Sequence, residues 1–130
     1  DALTSRATNP SYLSYIEETA HKLLPRAHVS QTIVITGIVR KQNAQSFVGN
    51  LAVTPDRRYY LETSYMGESF SGTGDLFASV IMGSLVNGLS VEAAMDKAVR
   101  FLWPAIEEAA RDNIPRNHGI YFEKYLHLLL

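Results

Sequence analysis

The sequence predicts an α/β fold in which helices pack on a sheet built from one parallel strand and an edge hairpin. Three observations carry this expectation. Thr32-Ile33-Val34-Ile35-Thr36 is a continuous β-branched and apolar run, the pattern of a parallel strand covered on both faces. Segments 46–53 and 58–63 are strand-like and flank Thr54-Pro55-Asp56-Arg57, where proline suits the second position of a tight turn, so they read as a hairpin. Apolar residues recur at helical spacing on both sides of this strand region.

The first helix is expected to start at Asn9-Pro10, with Leu13, Ile16, Ala20, Leu23 and Leu24 on one face and Pro25 as its stop. Thr36-Gly37 is expected to end the parallel strand, and the hairpin to lie at the sheet edge. Asp75 to Asn87 is apolar nearly all round, which predicts a buried helix against the sheet with Gly83 permitting close approach. Asn87-Gly88 closes it. Ser90 then caps a helix whose stripe is Val91, Ala94, Met95, Ala98, Val99 and Leu102, before Trp103-Pro104 forces a kink or a new start. Ile106, Ala109 and Ala110 continue that face, a turn-rich stretch covers 113–119, and Phe122 to Leu129 reads as a short terminal helix.

The 130 residues show no repeat, low-complexity tract or linker, so residues 1–130 read as a single domain able to bury a core. Twelve Lys and Arg against thirteen Asp and Glu, spread along the chain, leave no electrostatic footprint for nucleic acid or an anionic membrane. Cysteine is absent, which removes disulfides, thiolate nucleophiles and sulfur-based zinc sites and fits a reducing compartment. The apolar stretches read as too short for a bilayer span, and the opening residues are not expected to act as a charged, then apolar, signal peptide. A cytoplasmic location is the default expectation.

Ser71-Gly72-Thr73-Gly74-Asp75, set just before an apolar run, is the most informative segment. A glycine turn that opens a helix leaves N–H groups unpaired and points the positive end of the helix dipole outward, so it can hold a phosphate. Asp75 then stands at the lip of an anion site. Its carboxylate repels phosphate unless it takes a proton from an approaching hydroxyl; the plainer alternative is a helix N-cap. Other candidates are weaker. His21, His28, His118 and His127 lack metal-ligand spacing, so no protein metal ligand is assigned. Glu17-Glu18, Glu107-Glu108, Arg40-Lys41 and Arg57-Arg58 read as solvated, and Tyr59, Tyr60 and Tyr65 as hairpin packing. No serine sits in a nucleophile elbow.

The segment Phe70 to Ser79 resembles the signature of the ribokinase-like kinases, and of pyridoxal kinases within them. Val34-Ile35-Thr36-Gly37 is similar to the family's strand ending in Thr-Gly, and the tail from Gly119 to Leu126 to the Gly-x-x-Phe-Glu-x-x-Leu ending of pyridoxal kinases. The resemblance implies a three-layer α/β/α fold of which this chain is the C-terminal half, joined by an N-terminal half and forming a homodimer in the complete enzyme. An Asn-x-x-Glu segment that helps arrange magnesium, the lid and most of the alcohol pocket would lie in the other half. It implies ATP and Mg2+ as cofactors and transfer of the γ-phosphoryl group to the 5′-hydroxymethyl of pyridoxal, pyridoxine or pyridoxamine. Hydroxymethylpyrimidine (phosphate) kinase is the competing member, and a non-catalytic half-domain that needs a partner is the reading from another class. By the same resemblance Asp75 is the base and Gly72, Thr73 and Gly74 supply the anion hole. Thr36 and Gly37 line the phosphate side of the nucleotide pocket, while Met66 and Phe70 lie beside the adenine.

Overall fold

The computed structural model describes residues 10–24, 31–65, 67 and 69–130. The chain divides into two compact units, Asp1–Tyr65 and Met66–Leu130. In the first, helix α1 (Pro10–Leu23) precedes strands β1 (Ile33–Gln42), β2 (Gln45–Val53) and β3 (Arg58–Ser64). In the second, helices α2 (Thr73–Val86) and α3 (Val91–Arg111) lead through a 3₁₀ turn at Arg116–His118 to a 3₁₀ segment, Phe122–Leu129.

The three strands form an antiparallel meander in the order β1-β2-β3, so β2 is central and β3 lies at an edge. The α/β class stands, but the strand expected to end at Thr36-Gly37 and to pair in parallel does neither among the described residues. It continues to Gln42, passing an irregularity between Ile35 and Ile38 that Gly37 absorbs with φ 72°. A two-residue turn, Asn43-Ala44, then reverses the chain. Both residues have positive φ, 49° and 64°, which matches the right-handed twist of the strands it joins. The expected hairpin is present, with Val53 opposite Arg58, and its turn is closed by Thr54 N–H donating to the Arg57 carbonyl at 2.8 Å.

The sheet face of Ile38, Leu51 and Val53 is covered by α1 through Ala20, with Leu13, Ile16 and Tyr60 packed around it. Strand alternation places these positions on one side, and each buried aliphatic there is worth about 1.5–3 kcal/mol. Leu23 departs from the expected stripe, being 62% exposed at the frayed end of α1.

A polar cluster continues the same face. Arg40 donates from Nε to Glu62 Oε2 at 3.1 Å and from a terminal nitrogen to Oε1, stacks on Phe47 at 4.8 Å, and reaches Gln42. Tyr60 donates its hydroxyl to Glu62 at 2.9 Å. Arg40 is thus held by the sheet rather than solvated. Glu17 likewise pairs with Arg58 at 2.6 Å. Gly49 has a packing reason: a Cβ there would overlap the Tyr60 ring.

Burial, then the bond to Glu62 and its charge, pushes the Tyr60 hydroxyl up to about 12 from the usual 10. Folding therefore favours the protonated phenol. That contribution to stability is complete below pH ~10 and is lost as pH rises through about 12. Tyr60→Phe should remove one late-titrating phenolate from an ultraviolet titration and flatten the alkaline fall in stability between those limits; an unchanged titration curve would contradict it.

In the second unit, α2 packs on α3, burying Phe77, Ile81 and Ser84 of α2 and Met95, Ala98, Phe101, Leu102, Ala105 and Ala109 of α3. The expectation that α2 is buried nearly all round is overturned, because Met82 and Val86 are 63% and 79% exposed. Gly83 permits no close approach, since nothing lies within 4 Å of where its Cβ would be. Ser90 caps α3 as expected, accepting from Ala93 N–H at 3.2 Å.

Of the kink or new start expected at Pro104, the new start does not occur. One helix runs from Val91 to Arg111 with Pro104 inside it. Proline costs about 3 kcal/mol in a helix interior, but Phe101, Leu102, Ala105 and Ala109 are buried on both sides of it, and that packing outweighs the loss. The carbonyl deprived of a partner belongs to Arg100, which is exposed. The C-terminal segment is held to α3 by a T-shaped contact of Phe122 with Phe101 at 6.4 Å and by Lys124 on Glu108 at 2.7 Å. Glu108 is therefore paired rather than merely solvated.

Candidate active site

The glycine turn is organised from its backbone outward. Gly72 is the N-cap of α2 with φ 83°, a left-handed conformation that disfavours any residue with a Cβ. Thr73 locks the turn from within: its hydroxyl donates to the Phe70 carbonyl at 3.0 Å and its N–H to the same oxygen at 3.4 Å. Leu76 N–H donates to the Gly72 carbonyl at 3.0 Å and starts the helix. The N–H groups of Gly72, Gly74 and Asp75 meet no acceptor among the described residues, whereas that of Thr73, expected in the anion hole, is turned to Phe70. Three donors are thus left at the positive end of a helix of 14 residues.

Asp75 is exposed in the first turn of α2. It does not cap the helix. The cap position belongs to Gly72 and no side-chain cap bond is present, so the plain alternative raised by the sequence has no support in the geometry. Only the Asp75 carbonyl is engaged, accepting from the Ser79 hydroxyl at 2.8 Å.

Gly74 differs from Gly72 in an instructive way. It has no positive φ, and nothing lies within 4 Å of where its Cβ would sit. Neither its conformation nor its described neighbours ask for glycine here, so the backbone at this position is open to close approach by a ligand. Gly74→Val should accordingly weaken ADP binding while shifting the melting temperature little. Calorimetric titration and a melting curve on the same variant decide it, and unchanged nucleotide affinity would contradict the anion-site reading.

Of the residues singled out from the sequence, Phe70, Gly72, Thr73, Gly74 and Asp75 come together in this one turn of the C-terminal unit. Phe70 is 3% exposed and contributes its carbonyl to the turn. Thr36 and Gly37 are exposed residues of β1 in the N-terminal unit. Met66 lies outside the described residues. A cavity of about 470 Å³ opens in the C-terminal unit between α2, α3 and the terminal segment, lined by residues that include Leu76, Val80, Phe101 and Phe122. None of residues 70–75 lines it. No group of three or more His, Asp or Glu able to hold a metal occurs among the described residues, and no described helix is long and apolar enough to cross a membrane. The turn's free donors fit the phosphates of a nucleotide, and a magnesium ion would arrive with those phosphates.

The residue that the sequence did not reveal is Arg116. Its Nε donates to the Ser69 carbonyl at 2.9 Å and its own carbonyl accepts from Ser71 N–H at 3.0 Å. The one local signal is Gly119, whose φ of 74° marks a special turn beside it.

This α/β architecture, with a glycine turn opening a helix, matches part of a ribokinase-like kinase fold. Two crystal structures of a Bacteroides thetaiotaomicron VPI-5482 protein assigned as a phosphomethylpyrimidine kinase share it, each with a TM-score of 0.74 and 26% identity over 95% of this chain. One is a rhombohedral form and the other an orthorhombic form with pyridoxal. This chain spans 41% and 42% of theirs. The sequence profile of the phosphomethylpyrimidine kinase family matches residues 2–121, and the chain belongs to that family. No curated protein matches it.

Proposed function

We propose that the enzyme containing this chain transfers the γ-phosphoryl group of ATP to the hydroxymethyl group of a vitamin B6 compound: pyridoxal, pyridoxine or pyridoxamine. The observation that carries the reading is the set of free N–H groups at Gly72, Gly74 and Asp75 beside an exposed carboxylate that caps nothing. Those donors stabilise charge on the transferring phosphoryl oxygens, and Asp75 accepts the proton of the substrate hydroxyl. The hydroxyl oxygen forms a bond to the γ-phosphorus as the bond to ADP breaks. The resemblance to the ribokinase-like kinases assigns Thr36 and Gly37 to the phosphate side of the nucleotide pocket and Met66 and Phe70 to the adenine side, although the Phe70 ring is itself buried. Magnesium neutralises phosphate charge when it is bound with the nucleotide. No side chain of this chain is assigned to it.

The second reading is a hydroxymethylpyrimidine or hydroxymethylpyrimidine phosphate substrate, which the family match favours while the pyridoxal in a similar structure favours the first. Both present a primary alcohol on a flat heteroaromatic ring, so the chemistry at the turn is shared. A coupled ADP-release assay on the whole enzyme, with pyridoxal and hydroxymethylpyrimidine compared at equal concentrations, separates them. The first reading requires the higher kcat/KM for pyridoxal; a preference for the pyrimidine supports the second, and turnover of neither overturns the proposal.

A further inference from the structure

We infer that Arg116 is a positioning residue that fixes the glycine turn in the shape a phosphoryl group needs. The inference rests on the reading of that turn as the anion site. Two hydrogen bonds and one close backbone approach from one short segment fall on Ser69 and Ser71, just ahead of Gly72. The Arg116 side chain donates from Nε to the Ser69 carbonyl at 2.9 Å, and the Arg116 carbonyl accepts from Ser71 N–H at 3.0 Å. These two bonds bracket Phe70, whose carbonyl in turn holds the hydroxyl and the N–H of Thr73. Arg116 therefore acts on the anion site through Phe70 and Thr73 without touching it.

The close approach is that of Gly119. Gly119 has φ 74° and ψ −154°, a region almost confined to glycine, and a Cβ there would lie 3.0 Å from the Ser71 carbonyl oxygen. The same tight turn is set by Pro115, whose carbonyl accepts from His118 N–H at 2.8 Å. A bare surface turn of Gly-x-Gly type samples many conformations. Clamped on both sides of Phe70, this one is restricted, and electrostatic stabilisation of a transition state requires such preorganised donors.

Arg116 is exposed, so its loss should leave the fold intact and change the turn. The whole enzyme is assayed with ATP, Mg2+ and the better alcohol substrate, as wild type, Arg116→Ala, Arg116→Lys and Gly74→Val. Misplacing catalytic groups by about an ångström costs up to about 10²-fold, so Arg116→Ala should lower kcat by about 10- to 100-fold with the KM of the alcohol little changed. Arg116→Lys, which keeps a cationic donor, should recover most of that loss. A melting temperature of Arg116→Ala near that of wild type separates positioning from simple destabilisation. Should Arg116→Ala fail to fold, Arg116→Met, which keeps the aliphatic stem, is read in the same way.

Wild-type kcat in Arg116→Ala alongside a crippled Gly74→Val would overturn the role of Arg116 and leave the anion site standing. Wild-type turnover in both would overturn the anion-site reading itself. An equal loss in Arg116→Ala and Arg116→Lys would also contradict the inference, because then the donor to Ser69 is not what matters.

Discussion

Asp75→Asn should reduce turnover of the whole enzyme by about 10²–10⁴-fold, the usual worth of a general base, while ATP binding stays close to wild type. The amide keeps the size and the polar shape of the carboxylate but cannot accept the proton of an attacking alcohol. Because Asp75 is exposed and makes no capping bond, the substitution removes no structural contact. A fall in stability would therefore not explain the loss. Pre-steady-state kinetics on the variant should show the defect in the chemical step, and near-normal turnover would refute the base assignment.

The second large effect is structural. Phe101→Ala should cost about 3–5 kcal/mol, since the ring is 1% exposed in the middle of α3 and its removal leaves a cavity that rigid helices refill poorly. The loss reaches beyond α3. Phe101 meets Phe122 edge-on at 6.4 Å, so the terminal segment loses its aromatic anchor while the Lys124–Glu108 and Tyr125–Glu108 contacts remain. Chemical denaturation should show the lowered stability, and faster hydrogen exchange over residues 122–129 should accompany it. A change below about 1 kcal/mol would mean that the segment does not depend on this contact.

The helices were legible because their signals are local. Ser90 at the cap, the apolar stripe of α3 and the Pro10 start of α1 each report physics confined to a few neighbouring residues. The hairpin around Pro55 was legible for the same reason. The first strand was not. Its uninterrupted apolar run reads equally well as a buried parallel strand or as one strand of a meander, and Gly37 looked like an end when it is a bulge. The turn that reverses the chain, Asn43-Ala44, lacks the glycine that announces most such turns, and alanine at φ 64° gives no warning in the sequence.

The exposed side of α2 escaped because a helix that is apolar all round reveals burial without revealing which side is covered. Ion pairs escaped for a different reason. Arg40 with Glu62, and Glu17 with Arg58, join residues 22 and 41 positions apart, and no local pattern marks them. At the candidate site the division is similar. Glycines and acid announced the turn, whereas the arginine that braces it is 47 residues from the carbonyl it binds. That distance hides the brace from any reading of neighbouring residues.

The central claim is that the opening turn of α2 receives the transferring phosphoryl group. Its most direct test is a crystal structure of the whole enzyme with ADP, Mg2+ and aluminium fluoride as the phosphoryl mimic. The account predicts fluoride or phosphate oxygens within hydrogen-bond reach, about 2.7–3.2 Å, of the backbone nitrogens of Gly72, Gly74 or Asp75, with the Asp75 carboxylate facing the position of the attacking hydroxyl. A mimic bound away from these nitrogens, with the turn left empty, would contradict it.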